Sequence, residues 1–236
     1  MSSSAIVVRV FEFVILLFSL SFHECAHAWM ASRLGDQTAR LQGRVTLNPI
    51  PHIDLVGTLI FPALIIFGPL VGLKFPFLLI GWAKPTPVIT RNLKKIVRDD
   101  NLITLAGPAS NLILVLLAFF ALAIVCLVVP GGRTLVRATL LGGLMVSGPS
   151  ELQGLVMIAL VAITINFSLF FFNLLPIPPL DGSHLVRNML PYNAAQQYDR
   201  IGGWVSYLLM IVVGGYVLGF LIGPAIGLVY AILMRL

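Results

Sequence analysis

The densest chemistry in the sequence lies in five consecutive residues, His23-Glu24-Cys25-Ala26-His27, which read H-E-x-x-H. On a helix, residues i and i+4 share a face, so two imidazoles can bind one metal ion. Glu24 is offset by one residue of helical rotation, about 100°. It can therefore reach a water at the metal without becoming a ligand. Zinc lowers the pKa of such a water to about 7, and a glutamate can accept its proton. The pattern is short, and in a soluble helix it arises by chance. Here three ionisable groups fall within an otherwise apolar stretch. An unpaired charge at a bilayer centre costs roughly 2.5–3.5 kcal/mol on insertion scales, so such groups mark function by default.

Two histidines leave a catalytic zinc site one ligand short, because such sites hold three protein ligands plus water. The remaining candidates are His52, Asp54, Glu151, Asp181, His184 and the loop carboxylates. Asp181 stands out. It follows an apolar run inside a proline-rich, weakly polar segment, where a carboxylate needs a partner. Asp181-Gly182 is equally ordinary turn chemistry, and position alone leaves both readings open. Cys25 lies about 200° around the helix from His23 and reads as a packing residue. With Cys126 as its single companion, it offers neither a disulfide framework nor a CxxC pair.

The elements that must position these residues are membrane spans. The chain is 58% hydrophobic and 10% charged, with a mean hydropathy of +1.01. Soluble domains carry about a quarter charged residues. Several apolar runs reach the roughly 20 residues that cross a bilayer. The formal charge of +6 then reports topology and contact with anionic headgroups, and no nucleic acid is expected. The first span is read from Ala5 to Leu34 and retained, since no small-residue cleavage site precedes the motif. A second apolar region, Leu55–Trp82, is interrupted by Gly68, Pro69, Gly72, Lys74 and Pro76. That pattern predicts a broken or re-entrant element. The segment GWAKPTPV, 81–88, reads as extended. Further spans are expected over Leu102–Val129 and Leu152–Phe172. The latter leads into Asn173–Gly182 and an amphipathic stretch, Ser183–Arg200. The final run, Trp204–Met234, is expected to be kinked or divided into a hairpin at Gly214, Gly215, Gly223 and Pro224.

Two separated blocks resemble the site-2 proteases: FHECAHAW, Phe22 to Trp29, and NLLPIPPLDG, Asn173 to Gly182. GPASN, Gly107 to Asn111, is similar to that family's intervening G-P-x-x-N segment. GWAKPTPV and NPIPHIDLVGT look like its short bacterial subgroup. The resemblance implies an all-α polytopic membrane protein with a site-2-protease-like core. It implies one zinc per chain bound by His23, His27 and Asp181, with Glu24 as general base and Asn173 near the substrate or oxyanion. The expected activity is zinc metalloendopeptidase cleavage in or near transmembrane segments of membrane proteins, within a lipid bilayer. Residues 1–236 read as a single membrane-embedded domain with no PDZ or other soluble module. The expected location is the plasma (inner) membrane of a prokaryote, and an oligomer is possible but not predicted. A membrane metal carrier or sensor using the same histidines is the alternative, although it leaves Glu24 without a purpose in lipid. A serine protease is disfavoured, since there is no G-x-S-x-G elbow and no identifiable base near Ser110.

A shared metal constrains topology. His23 and His27 lie toward the C-terminal end of the first span, and Asp181 lies just beyond the C-terminal end of the fourth. If one metal joins them, Leu55–Trp82 must cross an even number of times, zero or two. Arg33, Arg40, Arg44, Lys84, Arg91, Lys94, Lys95, Arg98, Arg187 and Arg200 then share one face, opposite Arg133 and Arg137. The positive-inside rule makes the metal side cytoplasmic.

Overall fold

The computed structural model describes residues 3–73, 82–142, 150–201 and 203–236, and these residues contain helices and no strand. The elements are α1 (Ser3–Leu34), α2 (Thr38–Leu41), α3 (Phe61–Phe67), α4 (Ile96–Val128), α5 (Gly132–Leu140), α6 (Ser150–Asn173), α7 (Asp181–Met189), α8 (Tyr192–Asp199) and α9 (Trp204–Arg235). Among the described residues, Ile6–Leu34, Ile96–Val128 and Glu151–Asn173 are long and apolar enough to cross a membrane. Their outward residues Val14, Leu117, Phe120 and Ile124 are each more than half exposed. A lipid-facing surface requires this, whereas a soluble bundle would hide such side chains. The chain is an all-α polytopic membrane protein.

Helix α1 ends where the sequence stops it. Gly35 adopts φ 120°, and the Asp36 N–H donates to Ala31 O at 3.0 Å. This is the six-to-one closure of a glycine-terminated helix. Helix α4 begins earlier than hydropathy suggests, inside the charged stretch before Leu102. Asp99 in its first turn accepts from the Lys95 N–H at 2.8 Å, and an acidic group at a helix N-terminus is stabilising. The final run is one continuous helix with Pro224 inside it, so of the two alternatives, a kink or a hairpin, the hairpin is not formed. In lipid, an interrupted backbone leaves polar groups without partners, which favours keeping the helix despite glycine and one proline.

Helices α1, α4 and α6 form the centre. Leu122 of α4, Val136 of α5, Ile163 of α6 and Leu233 of α9 are fully enclosed in one apolar cluster. Between lipid-embedded helices apolar contact gives little net drive, so close packing and polar contacts decide the arrangement. Asn166 of α6 donates to Ser19 Oγ of α1 at 3.0 Å, both buried. A contact of this kind contributes roughly 0.6–2 kcal/mol.

The interrupted region after α1 turns back on itself. A π-helical turn, Leu55–Ile60, is capped by Asp54, whose carboxylate accepts from Val56 N and Gly57 N. Helix α3 follows, and a 3-10 turn at Gly68–Val71 ends at Gly72 with φ 85°. Lys74, Pro76 and their neighbours over 74–81 lie outside the described residues. At Trp82 the chain is back at its starting level. Trp82 N donates to Gly57 O at 3.1 Å and Lys84 N to His52 O at 2.9 Å. Thr58 Oγ1 donates to Trp82 O at 2.8 Å. A single straight crossing is incompatible with these contacts, so the excursion begins and ends at one level, as an even number of crossings requires.

Residues 82–92 then run back along α1 as a strap. Asp36, fully buried, accepts from Ile89 N at 2.7 Å and Asn92 Nδ2 at 2.9 Å. It also accepts from Thr38 N and Thr38 Oγ1. Burial alone would raise the Asp36 pKa, but these donors hold it below the usual carboxylate range. A depressed folded pKa contributes stability that is present above the unfolded value of about 3.9 and is lost as pH falls through the folded value. Asp36→Ala leaves several donors without their acceptor, each worth about 1–3 kcal/mol when buried. The variant should unfold more readily in detergent at neutral pH, with faster hydrogen exchange at Ile89, and the difference from wild type should shrink at strongly acidic pH.

Candidate metal and catalytic site

The H-E-x-x-H turn sits well inside α1. His23 is fourteen residues beyond Arg9 and ten before Arg33, or about 21 Å and about 15 Å along the axis. With a hydrocarbon core of about 30 Å, the histidines lie nearer the Arg33 end of the bundle. Helix α4 packs across them. Gly107 is the point of closest approach, where a Cβ would collide with the rings of both His23 and His27. Helix α7 closes the site. Asp181 is its first residue, and Gly182 lets that turn press against the chain leaving α6, since a Cβ there would overlap the Leu174 carbonyl. Asp181-Gly182 thus serves both readings offered by the sequence: the glycine permits the tight turn, and the aspartate faces the histidines.

His23 Nε2 lies 3.1 Å from Asp181 Oδ2, and His27 Nε2 lies 3.4 Å from Asp181 Oδ1. The two Nε2 atoms are 3.0 Å apart. The outer ring nitrogens fix the tautomers. His27 Nδ1–H donates to Ile103 O at 2.7 Å, and His23 Nδ1–H donates to Asn111 Oδ1 at 2.9 Å. A carbonyl only accepts, so His27 carries its proton on Nδ1 and turns a lone pair inward. Both Nε2 atoms and the carboxylate therefore aim lone pairs at one small volume. Three acceptors gathered this closely repel one another unless a cation lies among them or the histidines take up protons. The donor set, two imidazoles and a carboxylate, suits zinc. The residues present fit the metal.

Glu24 stands beside this group and outside it. Its Oε2 accepts from Thr86 N at 3.0 Å and from Thr86 Oγ1 at 2.8 Å. Asn173, the last residue of α6, donates through Nδ2 to Leu169 O at 3.0 Å. That bond occupies one of its two amide hydrogens. The other candidates lie elsewhere. His52 is buried and bonds Thr46 O at 3.0 Å. Asp54 caps its turn. His184 and Glu151 are exposed. Cys25 is a free thiol outside the group.

Sequence reasoning missed Asn111, Ile103 and Thr86. Asn111 stands in the GPASN segment, yet nothing in its spacing to His23 signals a contact across 88 positions. The Ile103 contact uses a main-chain oxygen, which no side-chain pattern encodes. Partners of this kind orient a ligand, and their loss typically costs 10–100-fold in metal affinity. Asn111→Leu should weaken zinc binding by about that factor in a chelator competition, with helix content unchanged. Unaltered affinity would mean that the contact does not orient His23.

Residues 11–214 match the family model of Peptidase family M50. The chain is 35% identical over 209 residues to "Putative zinc metalloprotease YwhC" of Bacillus subtilis (strain 168), covering 87% of this chain and 82% of that protein. It is 38% identical over 112 residues to "Putative zinc metalloprotease Rip2" of Mycolicibacterium smegmatis, covering 47% of this chain and 39% of that protein. No solved structure matches significantly. The family match takes in the whole H-E-x-x-H turn, the strap and Asp181, and the chain belongs to peptidase family M50, the site-2 protease family, as one of its membrane metalloproteases.

Proposed function

We propose that this protein hydrolyses peptide bonds in or near the transmembrane segments of other membrane proteins, using one zinc ion held by His23, His27 and Asp181. The observation that carries this reading is the convergence of three lone-pair donors within 4.8 Å of one another, with His27 tautomerically fixed to turn its lone pair inward. Bound zinc supplies Lewis acidity, lowering the pKa of a water at the site to about 7 and polarising a peptide carbonyl. Glu24 accepts the proton of the attacking water and returns it to the departing amine. Asn173 offers its remaining amide hydrogen to the oxygen that gains negative charge. The helices enclose the residues and limit the access of bulk water.

A helical substrate has its carbonyls tied up internally and must unwind before attack. The strap offers an edge for the opened segment. Trp82, Lys84 and Thr86 use their backbone groups toward the rest of the protein. Alternate residues of an extended chain point their groups the other way, and the described hydrogen bonds use none of Ala83, Pro85 or Pro87. The Pro85 and Pro87 carbonyls can accept from an added strand, since Pro85 is exposed and Pro87 partly so whereas Ala83 is buried, and the prolines withhold donors and so discourage indiscriminate pairing.

Glu24→Gln should retain zinc and lose cleavage of a transmembrane substrate reconstituted in proteoliposomes. Asp181→Ala should lose zinc as well. Full proteolysis by the first variant would remove Glu24 as base, and metal-dependent ion flux that tolerates it would favour a carrier. Unchanged zinc stoichiometry and affinity in the second would remove Asp181 from the ligands.

The site end of the bundle is proposed to face the cytoplasm of a prokaryotic plasma membrane. Arg33, Lys84, Lys95, Arg187 and Arg200 lie on segments joined at that end, whereas Arg137 caps the opposite end by donating to Met234 O. Cysteines introduced beside Lys95 and at Gln197 should be labelled from the same, cytoplasmic side of sealed vesicles. Labelling from opposite sides would sink the topology.

A further inference from the structure

The contact between Thr86 and Glu24 joins residues 62 positions apart. Both donors of Thr86 go to a single oxygen, Oε2, and leave Oε1 outside these contacts. The Thr86 hydroxyl also lies 3.1 Å from the Glu24 carbonyl oxygen. One residue of the strap therefore engages both the side chain and the main chain of Glu24.

The local sequence prepares Thr86 for this. Lys84-Pro85-Thr86-Pro87 places a proline on each side of it. Each proline fixes its own φ near −65° and confines the preceding residue to extended conformations. Neither has an N–H, so the Thr86 amide is the only main-chain donor between Lys84 and Val88. The strap is also fastened on both sides. Before Thr86, Lys84 N donates to His52 O, and Arg44 Nη1 donates to Lys84 O at 3.3 Å. After it, Ile89 N donates to Asp36 Oδ2. Glu24 and Asp36 lie on and just beyond the same helix, so the strap spans the turn that carries the chemistry.

We propose that Thr86 is the positioning residue of the general base, holding Oε2 so that Oε1 is presented to the reacting water. The inference rests on Glu24 being that base. A carboxylate on a flexible side chain samples several rotamers, and an error of about 1 Å in placement can cost about a hundredfold in rate. A proline-stiffened clamp removes that freedom without touching the metal ligands. Because the opposite edge of the same strap is the proposed substrate edge, the clamp also ties the position of the base to that of the peptide.

The test compares Thr86→Val, which keeps the amide and shape but loses the hydroxyl, with Thr86→Ser, which restores it. Both are assayed as full-length protein in proteoliposomes against a transmembrane substrate, beside wild type and Glu24→Gln. The expected result for Thr86→Val is a fall in kcat of roughly tenfold or more, with KM and zinc content within twofold of wild type. Thr86→Ser should recover most of that loss. Wild-type kcat in Thr86→Val, or equal losses in both variants, overturns the proposal. If Thr86→Val loses zinc or its melting transition, Thr86→Ala replaces it. Lowered kcat at constant KM then supports the clamp, and unchanged kcat overturns it. Cleavage by Glu24→Gln would defeat the general-base reading itself, whereas a silent Glu24→Gln beside a fully active Thr86→Val defeats only the role of Thr86.

Discussion

Three acceptors, from His23, His27 and Asp181, crowd into one small volume, and the surrounding packing holds them there against their repulsion. His23, His27 and Asp181 approach within 3.0–3.4 Å of one another. Such crowding is unfavourable unless positive charge lies among them, and the fold pushes them together from several directions. Helix α4 sets the imidazole orientation through Asn111 and Ile103. Gly107 gives the rings room. Helix α7 delivers the carboxylate, and Gly182 permits its approach. Each of these serves one purpose, which is to keep acceptors aimed at a common point. A membrane protein has a particular reason to arrange matters this way. The hydrocarbon cannot solvate stray charge, so polar atoms must be satisfied by one another, by water or by an ion.

The same constraint explains the order of the elements. The two halves of the site stand 154 positions apart, at His27 and Asp181. They meet because the chain leaves α1, turns back through α3 and the strap, and crosses twice through α4 and α6. The return at Trp82 and Lys84 is the critical step, since a straight crossing there would send Asp181 to the wrong end. That return is stitched by main-chain hydrogen bonds to Gly57 and His52. Gly57 has a further role, because a Cβ there would overlap the Trp82 ring. The strap that follows brings Thr86 to Glu24 and Ile89 to Asp36. Topology and catalytic geometry thus use the same few contacts.

Polar contacts within the bundle follow a consistent logic. Ser21, Thr164 and Ser168 return their hydroxyls to carbonyls four residues earlier. They satisfy themselves within their own helices and ask nothing of their neighbours. Asn111 and Asn166 instead reach across to another helix, and they are almost completely buried. Asparagine in these positions fixes which faces of α1, α4 and α6 meet, which apolar packing alone specifies weakly in lipid.

Local pattern was enough to place His23 and His27 on one helix face with Glu24 beside them, to mark the apolar runs and to call for an excursion that returns. Those features are local or additive. Two histidines four apart share a helix face wherever the helix sits, and hydropathy sums along the chain. Asp181 could be narrowed but not fixed by position, because a ligand and a turn residue look alike within Asp-Gly. Tertiary structure decided the rest. It set the histidine tautomers, which depend on acceptors contributed by α4. It showed that the last apolar run stays a single helix, since backbone satisfaction in lipid outweighs the helix-breaking tendency of glycine and one proline. It also joined Thr86 to Glu24. The prolines around Thr86 announced an extended segment, but no one-dimensional pattern says which helix an extended segment will run beside.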